Sequence, residues 1–345
     1  MLKRFYRLVI TVAEALLMLV ILWAAFHAPL VVYGIDQGRG QLHIVMEARP
    51  VDEALADPAV PEKVKKKLME IAEIKQFAID SLGLKATDNY TTFFDQHEKP
   101  LLWVLTASEP FALNPYTWKF PLLGDVSYKG FFDYRKGEKE EQLLIKKGYD
   151  TDYDDVGAWS TLGWFRDPVL SGMLNRDDGS LAELIIHEMT HGTIYLKSSV
   201  SFNENFASMI GEEGAVQYLA SRYGSASEAF DLYRKRRSDY NKFSGYMVAS
   251  AARLDSLYRS MKAQPVKEKK ERKITMMAEI ASGMHGVPFE DTLRFSKIFS
   301  HSLPNNAWFL AFRRYDSIKD SLRLDMLSKT GGNIREYISL VKGRN

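Results

Sequence analysis

The chain has no cysteine among its 345 residues. That absence excludes disulfides, thiolate nucleophiles and sulfur-held zinc, while remaining compatible with an oxidising compartment. An excess of charge of one sign is also lacking, because 46 Lys and Arg stand against 44 Asp and Glu, a net of +2. Nothing in that balance draws the chain toward nucleic-acid backbones, so no nucleic-acid role is expected. There is no internal repeat and no long low-complexity linker, and nothing marks an obligate protein partner. With 46% hydrophobic residues, a chain of this length buries a sizeable single core.

What the sequence does have begins at its N-terminus. Lys3, Arg4 and Arg7 precede a largely apolar stretch from Leu8 to about Val32, long enough to cross a bilayer. Glu14 and His27 lie toward its two ends, where ionisable groups are tolerated best. The uninterrupted core, Ala15 to Phe26, also has the length of a signal-peptide apolar region, so a cleaved signal is the rival reading. Ala24-Ala25-Phe26-His27-Ala28 offers no clean small-x-small cleavage site, and apolar character resumes at Pro29-Leu30-Val31-Val32, which favours a retained anchor. Positive charge before the span places the N-terminus in the cytoplasm and exports the rest. Residues 1–34 are therefore read as a single-pass membrane anchor and 35–345 as one exported domain.

Within that domain, His187-Glu188-Met189-Thr190-His191 places two imidazoles one helical turn apart, where both can reach one metal ion. Glu188 lies one residue round from His187, as a general base for hydrolysis must if it is to leave coordination positions free. Ser180 and Glu183 read as a capping box, and Leu181, Leu184, Ile185 and Met189 as a buried face. A catalytic zinc takes three protein ligands, so a third is needed. Glu204 is the best candidate, because Phe202-Asn203-Glu204 opens a second helical pattern carrying Phe206, Met209, Ile210, Val216, Leu219 and Tyr223. Gly211 and Gly214 allow the two helices to approach closely. Glu204 has a competing reading, since Ser201 to Glu204 is itself a capping box. Glu212 and Glu213 are fallback ligands or carboxylates that orient a ligand histidine. Ile194 and Lys197 occupy the places where a metzincin would carry its third histidine.

These motifs, with Gly38-Arg39-Gly40-Gln41-Leu42, Ala48-Arg49-Pro50-Val51, the run Pro121 to Phe132, Ser160 to Phe165, and Glu212-Glu213-Gly214, resemble the bacterial putative aminopeptidases, a group akin in pattern to the gluzincins. The resemblance covers nearly the whole chain after the apolar segment. It implies one zinc ion held by His187, His191 and Glu204, with Glu188 as catalytic base. Many relatives look like lipoproteins with an N-terminal cysteine, which this chain lacks. The resemblance further points to Pro304-Asn305-Asn306-Ala307 and to Tyr315 for the group that stabilises a developing oxyanion, with His285 and His301 also downstream. Membership of the gluzincin-like class would lay a substrate backbone along an exposed strand, for which Ala158 to Gly163 is the candidate.

The fold class expected is α+β, predominantly helical, with a zincin-like core whose small sheet precedes the zinc helix. Residues 35–100 are read as helical, 101–224 as sheet and zinc helices, and 225–345 as helical. Pro61 to Leu82 reads as a helix that packs beside the continuation of the anchor and stops at Gly83. Leu101 to Leu162 reads as short β-rich runs broken by proline and glycine. Glu228 to about Met261 reads as one long helix, and the mixed charges of Lys262 to Lys273 as a solvated segment.

The function expected is zinc-dependent hydrolysis of peptides outside the cytoplasm, with an aminopeptidase the specific form. Asp167, Glu212 and Glu213 are candidates for holding a substrate ammonium. The alternative is a non-catalytic envelope protein whose metal site is structural or binds a peptide or cell-wall partner. An intramembrane protease is excluded, because Arg176-Asp177-Asp178, Glu183 and Lys197 make the motif helix too short and polar to span a bilayer.

Overall fold

The computed structural model describes residues 2–121, 124–155, 166–197, 199–300, 302–315 and 318–343. It opens with α1 (Leu2–Phe26), of which Arg4–Phe26 is long and apolar enough to cross a membrane, with mean hydropathy 2.5 and no burial inside the protein. A signal sequence passes the same test. His27 breaks the helix and Pro29 follows, where the missing N–H interrupts the ladder. The chain then continues as α2 (Ala28–Glu47).

Next come β1 (Arg49–Pro50), α3 (Val51–Ala56) and α4 (Glu62–Asp80), the last stopped by Gly83 at φ 73°. Strands β2 (Thr92–Phe94), β3 (Trp103–Ser108), β4 (Trp118–Phe120), β5 (Gly124–Val126) and β6 (Lys129–Phe131) follow. Helix α5 (Tyr134–Lys146), β7 (Asp150–Asp155) and β8 (Val169–Leu170) lead to α6 (Asp178–His191) and α7 (Val200–Tyr223). The remainder is helical: α8 (Glu228–Ser260), α9 (Val266–Gly283), α10 (Thr292–Ser296), α11 (Asn306–Tyr315), α12 (Lys319–Thr330) and α13 (Ile334–Lys342). The fold is thus α+β and predominantly helical.

Among the described residues the β structure is three small sheets: β1-β2-β8, β6-β3-β7 and the β4-β5 pair. Two departures from the sequence reading matter. Strands β1, β2 and β8 lie outside the stretch 101–162, and β2 pairs parallel with β8 through Phe93–Val169 and Phe94–Leu170. Inside that stretch, residues 134–146 form α5, because Asp133 accepts from the Arg135 N–H as an N-cap and the Lys/Glu-rich run is a good helix former with Leu144 turned inward.

The main core joins α4, α6, α7 and the C-terminal helices to the β1-β2-β8 sheet, with Leu68, Ile71, Leu181, Ile185, Phe206, Met209 and Tyr337 buried. Helix α4 packs chiefly on α6, the motif helix, rather than on α2 as expected. A second core lies among α8, α9 and α11, and a third between β3 and α5. Tyr223 leaves the expected apolar stripe of α7, being 40% exposed, with its hydroxyl donating to Asp178 at 2.6 Å.

Candidate metal centre

Helix α6 carries the first two donors and α7 returns against it to bring the third. The cap of α6 is Asp177, whose Oδ1 accepts from the Ser180 N–H at 2.9 Å, so the expected Ser180–Glu183 box is not formed. Glu183 instead accepts from the Tyr233 hydroxyl at 2.7 Å and from Arg237 at 3.0 Å. The connection between α6 and α7 is stitched by Asn203, whose side-chain Oδ1 accepts from the Leu196 N–H and whose Nδ2 donates to the Leu196 carbonyl, both at 2.9 Å. Because α7 starts at Val200, Glu204 stands beyond its first turn and caps nothing. It faces the two histidines.

His187 Nε2 lies 3.1 Å from His191 Nε2, and Glu204 Oε2 lies 3.5 Å from each. In a tetrahedral site with metal–ligand bonds of about 2.0–2.1 Å, donor atoms stand about 3.3 Å apart, so this triangle has the dimensions of one face of such a site. Two imidazole nitrogens and a carboxylate oxygen also form a donor set that suits zinc. Among the described residues these three form the group of possible metal ligands. Burial alone would push the Glu204 carboxyl up, but hydrogen bonds from His187 and His191 outweigh it and hold it at about 2. Burial presses His187 the other way, yet the Glu204 hydrogen bond and the Glu188 charge leave it raised.

The surroundings add residues that sequence reasoning missed. Ser208 Oγ lies 3.5 Å from His187 Nδ1, on the ring edge away from Glu204. Its spacing of four from Glu204 along α7 is the signal that would have found it. Tyr90 is buried, with burial and then the charges of Glu188 and Asp167 raising its phenol well above the ordinary range. Its φ of 63° is unusual for a bulky residue, and its N–H donates to the Asp167 carbonyl at 2.7 Å. No local motif marks Tyr90.

A family model described as Putative aminopeptidase matches residues 32–343. The chain belongs to that family. No curated protein matches it, and no solved structure does. The family match takes in both helices of the candidate metal centre and begins only after α1 has ended.

Other residues singled out from the sequence fall elsewhere in this aminopeptidase-family chain. Glu212 and Glu213 are not brought to the three donors. Glu212 is buried among Arg237, Lys319 at 2.8 Å and Arg323 at 2.7 Å, and Glu213 binds Arg323 at 2.7 Å. Asp167 is buried and bonded with Asn89, so these three carboxylates are engaged within the protein rather than left to meet an ammonium. Asn306 ties the β3 and β7 region to α8 and α11, donating to the Glu109 carbonyl at 2.8 Å and accepting from the Tyr258 hydroxyl at 2.6 Å. His285 is exposed. His301 and the strand proposed at Ala158 to Gly163 lie outside the described residues, as does the side chain of Tyr315. Just past Tyr315, the Ile318 N–H donates at 3.0 Å to Oδ1 of Asn205, the neighbour of Glu204, so the α11–α12 junction docks beside the third donor.

Proposed function

We propose that the chain is a zinc-dependent peptidase, in its specific form an aminopeptidase, with a zincin-like core. The observation that carries this reading is the triangle of His187, His191 and Glu204 donor atoms with Glu188 on the same helix. His187, His191 and Glu204 would hold one zinc ion, which when bound supplies Lewis-acid polarisation of the scissile carbonyl. Glu188 takes the proton of the attacking water and passes it to the leaving amine. Ser208 steadies the His187 ring from its far side. Tyr315 is proposed as the donor to the developing oxyanion, a role supported by the docking of the adjacent Ile318 beside Glu204. A structural zinc is normally closed by four protein ligands. A group of three among the described residues therefore favours catalysis over a purely structural or binding role.

We place the enzyme in the cell membrane, anchored by α1 with its N-terminus in the cytoplasm and acting on peptides outside. Apolar length and the preceding Lys3, Arg4 and Arg7 support that orientation. The deciding experiment measures zinc in the purified full chain and in a His187→Ala/His191→Ala variant, and then exposes both to a peptide library. One zinc per chain, lost in the variant, with chelator-sensitive removal of N-terminal residues, is the expected result. Zinc without turnover would return the metal to a structural or peptide-binding role, and internal cleavage would leave a peptidase of endo type.

A further inference from the structure

Helix α2 presents two different faces. Tyr33 and Gln37 both donate to the Gly130 carbonyl at 3.0 Å, Gly40 lies against the Phe132 ring, and Ile44 is fully buried. These four residues form the side that meets the rest of the domain. Most of the way round the helix lie Val31, Ile35, Gly38, Leu42 and Val45, spaced four, three, four and three apart, which is the 3.5-residue period of a coiled-coil seam. Ile35 is 56% exposed, Leu42 57% and Val45 42%, although all three are apolar.

The glycines sharpen this reading. Glycine weakens a helix interior, and the contact with Phe132 accounts for Gly40 alone. Gly34 and Gly38 face open space, with nothing within 4 Å of where a side chain would begin. With no side chain at either position, the backbone is open there to the close approach of another helix.

What covers this face follows from where α2 stands. Hydrogen bonds cross the break after α1, with His27 N–H donating to the Trp23 carbonyl and Val31 N–H to the His27 carbonyl, both at 3.0 Å. With α2 thus continuing outward from α1, a rise of about 1.5 Å per residue puts Leu42 about 24 Å past the end of the span. The headgroup layer on one side is only about 5–8 Å deep. Lipid therefore leaves the distal half of the seam bare, whereas a second chain anchored the same way presents an identical seam in parallel. We propose that α2 pairs with α2 of a second copy of this chain, forming a parallel two-helix stalk above the membrane. The parallel arrangement rests on the anchor reading given above.

The absence of cysteine makes the test clean. Single cysteines are placed along residues 31–46 of the full chain in isolated membranes, and disulfide dimers are scored after mild oxidation. Ile35→Cys, Leu42→Cys and Val45→Cys should cross-link at least tenfold more than Arg39→Cys and His43→Cys. Adding Gly34→Leu should suppress cross-linking at Leu42→Cys while the melting temperature stays unchanged. Cysteines at 35 and 42 that are shielded from a membrane-impermeant maleimide yet do not cross-link would mean that the bilayer covers the face, overturning the pairing. Free labelling without cross-linking would overturn it as well. Extraction with alkaline carbonate is scored separately: release of the chain defeats the anchor reading by itself, and the 3.5-residue cross-linking period still decides whether α2 pairs.

Discussion

Gly211 stands directly against His187, so close that a β-carbon built on it would lie 3.3 Å from the His187 β-carbon and 2.8 Å from the Glu183 carbonyl oxygen. Helices α6 and α7 can meet here because α7 carries no side chain at the crossing point. Gly211→Ala should therefore push α7 away from α6, lowering stability by about 1–3 kcal/mol and weakening metal binding. Gly214→Ala should be milder, because its neighbours are the side-chain ends of Leu82 and Ile186, which can shift. Urea unfolding and zinc titration of both variants would check the order, and equal metal affinity in all three proteins would contradict it.

Glu188→Gln should retain zinc at the native stoichiometry while losing about 10²–10⁴-fold in kcat, because only the proton-transfer group is removed. Elemental analysis beside a steady-state assay separates the two effects. Full activity in a metal-loaded variant would remove Glu188 from the mechanism.

Tyr315→Phe should lower kcat by about 10²-fold with KM little changed, the pattern of a donor that acts on developing charge. An unchanged kcat would strip Tyr315 of that role and shift attention to the buried Tyr90, whose phenol is raised by burial and by the charge of Glu188.

Glu212→Gln tests the charge cluster behind the site. Neutralising this buried carboxylate leaves Arg237, Lys319 and Arg323 facing one another without their common anion. Loss of one partner of a buried pair costs about 3–5 kcal/mol, so the variant should unfold at much lower urea. A variant as stable as the parent would show that neighbouring groups neutralise the three cations.

Asp178 supplies a pH test. Burial raises its carboxyl, but hydrogen bonds from Lys67 at 2.5 Å and Tyr223 at 2.6 Å outweigh burial and hold it below the usual carboxylate range. A carboxyl depressed in this way adds stability above its unfolded pKa of about 4 and loses that contribution as pH falls through the folded value. Asp178→Asn should cost about 1 kcal/mol at neutral pH, given its partial exposure, and progressively less below about pH 4. Thermal melts at pH 7 and pH 3 give the comparison, and a gap of the same size at both would contradict the assignment.

The residues with regular spacing were the legible ones. The pair His187 and His191, the return of Glu204 and the helices at 62–80 and 228–260 all follow from helical period and cap chemistry, which act locally. Asp177 displaced Ser180 as the cap of α6 because both residues suit that position and the sequence does not rank them. Strands β3 to β7 fall inside the stretch read as sheet, whereas the β1-β2-β8 sheet was not legible because its strands are only two or three residues long, too short to show alternation, and owe their existence to partners far away in the chain. Helix α5 was hidden among aromatic and glycine-punctuated runs that read as strand. Glu212 looked like a possible ligand because its cations, Lys319 and Arg323, lie more than a hundred residues downstream.

The stitch of Asn203 onto Leu196 ties together helices that are neighbours along the chain. All three donors therefore fall between residues 187 and 204, and joining His191 to Glu204 closes only a short loop, for which the entropy loss is small. Contacts this local are among the fastest to form. The hairpin of α6 and α7 can thus take shape before the C-terminal helices bring Lys319 and Arg323 to Glu212.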